Sequence, residues 1–327
     1  MGEPRIAQGL RAWTRRRKLR LRGYNPWAIA VDAVAHAVGH RVGGFAAEMA
    51  FFASLALIPF TAAVGAVLGY LERVAGTDGV QETERVVAEV MSVILGPDLV
   101  VEVVAPYVQT ELAEARGGLA LGALAGGLWL ASRVFLPAVH ALDLAFDAVD
   151  DRSVIKRRGV AVILAVSSIL VITLQLLLLV FGPLLGGGQE LADQFDLGPL
   201  FTLAWSAGRW PLMGLILTAF LLAVYRFVPC RRIGWRRSLP GALVAMAAWL
   251  LVAVGFRIAL DTGLRPVEGA VLQNESTAAV ARMVVALLAT VLWVFLSSIA
   301  VLFGGEINAA IHRERVARGA SAPDPAL

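Results

Sequence analysis

Six stretches of this chain are long and apolar enough to cross a lipid bilayer as helices, and the segments between them alternate in charge. Crossing the hydrocarbon takes about 20 mostly apolar residues in a helix. Stretches of that kind lie at about 45–70, 117–138, 160–185, 203–227, 239–260 and 281–305. The second is the weakest, because Arg133 interrupts it, and the fourth begins softly around Arg209 and Pro211. Hydrophobic residues make up 58% of the chain and charged residues 17%, against about a quarter charged in a soluble domain. Such a chain cannot cover itself with polar surface, so lipid must be part of its solvent.

The connections set the orientation. Residues 1–22 carry eight basic residues, whereas 71–116 carries three arginines against nine acidic residues. Residues 151–158 return to Arg152, Lys156, Arg157 and Arg158, and 186–202 holds Glu190, Asp193 and Asp196 with no basic residue. The loop at 226–237 concentrates Arg226, Arg231, Arg232, Arg236 and Arg237; residues 261–280 are acidic on balance, and Arg313, Arg315 and Arg318 follow the last span. Excess positive charge holds a loop on the cytoplasmic side. The alternation therefore predicts an all-α polytopic membrane protein with six transmembrane helices and both termini cytoplasmic.

Three regions follow: residues 1–42 as a basic arm and interfacial helix, 43–312 as the six-span membrane domain, and 313–327 as a disordered cytoplasmic tail. In the arm, residues 27–42 read as a helix lying at the interface with Trp27 as its anchor. The 71–116 connection is too long for a turn. Val86, Val87, Val90 and Ile94 share one helical face, Val100, Val101, Val104, Val108 and Leu112 another, and Gly96-Pro97 separates them. An extracytoplasmic acidic helical hairpin is expected there, either packed on the bundle or capping a cavity. No cleavable signal peptide is expected, because the first apolar run follows a long arginine-rich arm.

Charged and polar residues inside spans are costly in lipid and are the natural candidates for function. Glu48 lies near the start of the first span, Arg133 within the second, Arg226 at the end of the fourth, and Glu306 with Asn308 at the end of the sixth. On the predicted topology they share the cytoplasmic half, where Glu48 or Glu306 could neutralise Arg133 or Arg226. Such a network could be structural pairing or the floor of a transport path. Pro59 falls mid-span and should kink the first helix. Gly118, Gly122 and Gly126 recur at every fourth position and would let another helix approach closely.

Two sets imitate metal sites: Asp32, His36 and His40 at four-residue steps, and His140, Asp143 and Asp147 on one helical face. Neither has a recognised metalloenzyme spacing, and Asp143 and Asp147 are expected to face the charges at 152–158. No metal or cofactor is expected. Cys230 is the lone cysteine, which excludes an intramolecular disulfide or a cysteine cage. No nucleotide-binding loop, serine-hydrolase elbow or HExxH helix is present, so an ATP-driven pump would need a partner ATPase. The positive charges cluster at span edges, which points away from nucleic acid and towards membrane lipids as partners.

The blocks LWLASRVFLPAVHALDLAFDAVDDRSVIKRR (128–158) and YRFVPCRRIGWRRSLPGALVAMAAWLL (225–251) resemble those of the YihY/BrkB family of bacterial inner-membrane proteins. GFAAEMAFFASLALIPF and LFGGEINAAI resemble its first and last spans, and the similarity runs in order over about 43–312. The chain departs from the family pattern at Asp143, where Asn is usual, at Phe146, where Tyr is usual, at Glu48, and at Ala278-Ala279-Val280. The resemblance implies a six-span protein connected with envelope integrity, with serum resistance in some pathogens, and with movement of a lipid or lipopolysaccharide. Some members carry an old ribonuclease BN label. RNA cleavage would need several metal-ligating groups converging in a wet groove, which span-edge residues do not supply. Transport of a lipid or amphiphile and a non-transporting scaffold that recruits envelope partners both remain open, with an enzyme the least supported reading.

Overall fold

The computed structural model describes residues 25–56, 117–148, 151–184, 198–231, 233–262 and 275–317. The basic arm before residue 25, Pro59 with the rest of the first span, the 71–116 connection and the chain beyond 317 lie outside the described residues. Within them are seven helices: α1 Pro26–Gly39, α2 Val42–Ala56, α3 Gly117–Ala145, α4 Val154–Leu184, α5 Gly198–Phe227, α6 Trp235–Thr262 and α7 Glu275–Ala317. Five of these, α3 to α7, are long and apolar enough to cross a membrane, and α2 is a shorter apolar helix. The protein is an all-helical, multi-pass membrane protein.

Local sequence accounts for the helix ends. Asn25 caps α1, its Oδ1 accepting from the N–H of Trp27 at 3.2 Å and of Ala28 at 3.3 Å, and Pro26 fills the first helical position, where no N–H is needed. Arg41, at a φ of 56°, turns the chain from α1 into α2. Asp147, at a φ of 50°, breaks the chain after α3. Short polar side chains such as Asp tolerate this left-handed conformation better than most.

The bundle is inverted relative to a soluble protein. Ile163, Leu170, Leu215, Leu251, Val254 and Leu288 are exposed on its outside, which suits a hydrocarbon solvent. The interior is built from small side chains and a few large ones. Val139 and Leu142 of α3, Leu164 of α4, Leu221, Val224 and Tyr225 of α5, and Ala242 and Ala245 of α6 form the central cluster. A second cluster joins Val42, Ala46 and Met49 of α2 to Ala138 and Ala141 of α3 and Leu302 of α7. The amphipathic α1 seats Ala33 against Ile307 and Ala310 of α7.

The tightest approach is between α6 and α7. A Cβ on Gly304 would strike the Tyr225 hydroxyl, the Gly241 carbonyl oxygen and the Ala245 Cβ, while one on Gly241 would collide with the Gly304 carbonyl and Asn308. Beside it, a Cβ on Gly305 would meet Leu142. Tyr225, fully buried, donates its hydroxyl to the Val301 carbonyl of α7 at 2.5 Å. The close approaches expected of Gly118, Gly122 and Gly126 in the second span are not seen where they can be judged: Gly122 and Gly126 face open space among the described residues. The small-residue seam belongs instead to GAL (241–243) and GGE (304–306).

Gly304→Val should therefore force α6 and α7 apart, at a cost of about 3 kcal/mol or more. Tyr225→Phe should cost only about 1 kcal/mol, one hydrogen bond. Thermal unfolding of the purified protein in detergent, followed by size-exclusion recovery, should rank Gly304→Val well below Tyr225→Phe.

Candidate functional site

The polar residues of the bundle gather at the end that carries the α5–α6 loop. Arg226, in the last turn of α5, reaches across this loop and donates Nη1 to the Ile233 carbonyl at 2.8 Å. Its guanidinium lies 5.1 Å from the Trp235 ring centre and 5.5 Å from that of Phe227. From the other side, Asp143 at the end of α3 accepts the Cys230 N–H at 2.7 Å and forms a short ion pair with Arg152. Arg152 in turn donates Nη1 to the Val228 carbonyl at 2.9 Å. Asp143 and Arg152 thus clamp the loop, over an apolar patch of Ala145, Phe146, Ile233 and Ala309.

Asn308 of α7 ties the same end together from within. Its Oδ1 accepts the Gly241 N–H at 2.8 Å, and its Nδ2 donates to the Ser238 carbonyl at 3.0 Å. Pro240 lies between these two positions and has no N–H. A single buried amide therefore satisfies one donor and one acceptor in the first turns of α6.

Two turns of α7 carry the remaining charges. Glu306 is 1% exposed, and His40 Nδ1 lies 2.7 Å from its Oε1. Arg313, seven positions on and so on the same face, donates Nε to Asp32 Oδ2 at 3.1 Å and Nη1 to the Ala145 carbonyl at 2.9 Å. Its Nη2 stands 3.9 Å from Glu306 Oε2, and neither of those two buried atoms has a hydrogen bond. His36 contacts the Asp32 carbonyl at 2.8 Å and meets the His40 ring edge-on, with centres 5.5 Å apart. The result is a largely buried row, Asp32–Arg313–Glu306–His40, shared by α1 and α7 and left open by one contact in its middle.

The expected network differs from this one. Glu306 and Asn308 are buried and central, but Glu48 and Arg133 are exposed on α2 and α3, and no ion pair joins them to Glu306 or Arg226 among the described residues. The reason is rotational. Val42, Ala46 and Met49 turn inwards at helical spacing and leave Glu48 outside, as Ala138, Ala141, Leu142 and Ala145 do for Arg133. Arg226 spends its charge on its own loop. His40 and Arg313, the actual partners of Glu306, lie at the C-cap of α1 and near the end of α7. Their one sequence signal is that Leu302, Glu306, Ala309 and Arg313 recur on one face of a continued helix.

The two histidine–aspartate sets are also resolved. Among the described residues no group of three metal-ligating side chains forms. Asp32 is turned to Arg313, and His40 to Glu306. The second set is split: Asp143 faces Arg152 as expected, His140 meets Arg157 at 3.1 Å, and Asp147 is exposed.

The chain matches the family described as Virulence factor BrkB over residues 33–326, which takes in nearly all of the helices above. It belongs to the BrkB family. A relative named "Putative ribonuclease-like protein YfkH", of Bacillus subtilis (strain 168), is 29% identical over 279 residues, covering 84% of this chain and 92% of the relative. No solved structure matches the chain.

Asp143→Asn should keep the acceptor for the Cys230 N–H and lose only the ion pair with Arg152. Asp143→Ala removes both the ion pair with Arg152 and the acceptor of the Cys230 N–H. Thermal unfolding should show the Ala variant lower by roughly 1 kcal/mol, the worth of the lost hydrogen bond. Equal stability of the two variants would mean that the loop is held by other contacts.

Proposed function

We propose that this BrkB-family chain is an integral protein of the bacterial inner membrane that moves a lipid or other amphiphile and so supports the integrity of the envelope. The Asp32–Arg313–Glu306–His40 row is the polar element on which that movement turns. The observation that carries the reading is Glu306: a carboxylate buried in an apolar bundle, hydrogen-bonded through one oxygen and facing an arginine at 3.9 Å through the other. Charges at that depth are costly and mark pathways or relays in membrane proteins. The half-made contact within α7, Arg313 to Glu306, can close or open with little penalty, unlike the fully satisfied Asn308 and Asp143 contacts. Those two hold the frame, and the Glu306 row supplies the movable part.

Ribonuclease chemistry, suggested by the name of the Bacillus relative, has less to support it. The carboxylates that a metal-dependent nuclease would need are turned to arginine, Asp143 to Arg152 and Asp32 to Arg313. A scaffold that recruits envelope partners is the reading to be separated by experiment.

Transbilayer movement of a fluorescent lipid in proteoliposomes should be accelerated by the protein. Glu306→Gln, which keeps shape and removes charge, should slow it by about tenfold, equivalent to ~1.4 kcal/mol in the barrier. Equal rates with and without protein would sink transport for the lipid tested and favour the scaffold. Orientation is checked separately. Arg231 is exposed in the α5–α6 loop, so Arg231→Cys in a Cys230→Ser background should react with an impermeant maleimide in inverted vesicles and resist it in intact cells.

A further inference from the structure

Five arginines of this bundle divide into two groups. Arg152 and Arg313 each face a carboxylate, and Arg226 has a carbonyl and two aromatic rings. Arg133 of α3 and Arg158 of α4 have no carboxylate within ion-pair distance among the described residues. Trp129 and Arg133 are one helical turn apart on α3, so Arg158, laid over Trp129, stands on the same flank as Arg133. Both belong to helix stretches apolar enough to cross the membrane.

Aromatic rings and a single carbonyl shape the pair. The Arg158 guanidinium lies over the Trp129 ring, 3.6 Å from its centre, and its Nη2 donates to the Trp129 carbonyl at 3.4 Å. That carbonyl already accepts the Ser132 hydroxyl at 2.6 Å. Arg158 Nε is buried with no hydrogen bond. Arg133 is exposed on the same flank, 5.5 Å from the Phe52 ring centre. Two adjacent guanidiniums flanked by aromatic rings, with donors to spare, lack an anion. Guanidinium forks match phosphate oxygens in pairs, and an anion on this flank would meet both charges.

We infer that Arg133 and Arg158, with Trp129 as a flat support, bind the phosphate of an anionic lipid headgroup at the α3–α4 flank. The exposed apolar surface beside them, Trp129, Ile163 and Val166, is where acyl chains would lie. A free phosphate would satisfy the same donors but has no use for that surface. The inference deepens the transport reading and rests on it for its biological meaning, so binding and movement are measured separately.

The test is native mass spectrometry of the purified full-length protein in detergent with phosphatidylglycerol or diacylglycerol added, with and without millimolar inorganic phosphate. Phosphatidylglycerol should be retained and diacylglycerol should not, and inorganic phosphate should not displace the lipid. The double variant Arg133→Gln/Arg158→Gln should lose about tenfold or more in lipid occupancy, as expected for lost charge-assisted contacts. Arg133→Lys/Arg158→Lys, which keeps both charges for insertion, should retain more than the Gln pair. Equal occupancy of the two lipids on the unmodified protein would overturn the inference without any variant. So would unchanged phosphatidylglycerol binding in the Gln pair, or displacement by inorganic phosphate. Selective binding combined with no transbilayer movement would leave the site standing and remove the transport reading.

Discussion

The α6–α7 crossing can form only because Gly241 and Gly304 leave room for backbone to touch backbone, and the rest of the polar end depends on it. In lipid there is little hydrophobic drive to bring helices together, so close packing and buried hydrogen bonds must do it. Both are present at one level. The two glycines set the distance, Tyr225 reaches the Val301 carbonyl, and Asn308 bridges Ser238 and Gly241. Once α7 is fixed at this point, the helix places Glu306 and Arg313 towards α1, and Gly305 against Leu142 of α3. Separating the crossing by one methyl group would displace every one of these contacts together.

Around that crossing the polar groups divide by how completely they are satisfied. Asn308, Asp143 and Arg226 each end on backbone groups of the α5–α6 loop or the start of α6. Backbone groups near a helix end cannot all bond within the helix, and in a membrane protein water is a poor substitute. These three side chains therefore complete the fold. Glu306 and Arg313 differ, since each is anchored by one part of its charged group and left unmatched by another.

Most of the fold was legible because lipid imposes a length rule. The apolar stretches that became α4 to α7 lie where hydrophobicity put them, and Glu306 and Asn308 stood out as polar residues inside such stretches. What hydrophobicity cannot give is rotation. Glu48 and Arg133 are in spans but on their outer faces, because the small residues Ala46, Ala138 and Ala141 take the inner ones. The glycine seam was misplaced for a similar reason. A four-residue repeat in α3 suggests a contact face, but the real seam uses one glycine from α6 and a pair from α7, with no repeat to notice. His40 and Arg313 lie outside the apolar stretches, and only the weak recurrence of Leu302, Glu306, Ala309 and Arg313 on one face hints that α7 continues as helix to Ala317.

The arginines show why charge counts alone mislead. Loop counts treat Arg152, Arg158, Arg226 and Arg231 as equivalent contributors to a positive loop, and topology is sensitive to them in that way. In three dimensions they are not equivalent. Arg152 and Arg226 are consumed by the loop they stabilise, and Arg231 is exposed. Arg158 is laid over Trp129 with a neighbour of its own sign. Holding a charge in an apolar environment is costly, so two cations on one flank with no carboxylate partner among the described residues call for compensation. Paired arginines are explained by the fold that holds them. An unpaired couple flanked by aromatic rings in the apolar stretches is not, and a lipid phosphate is the anion that a membrane itself provides.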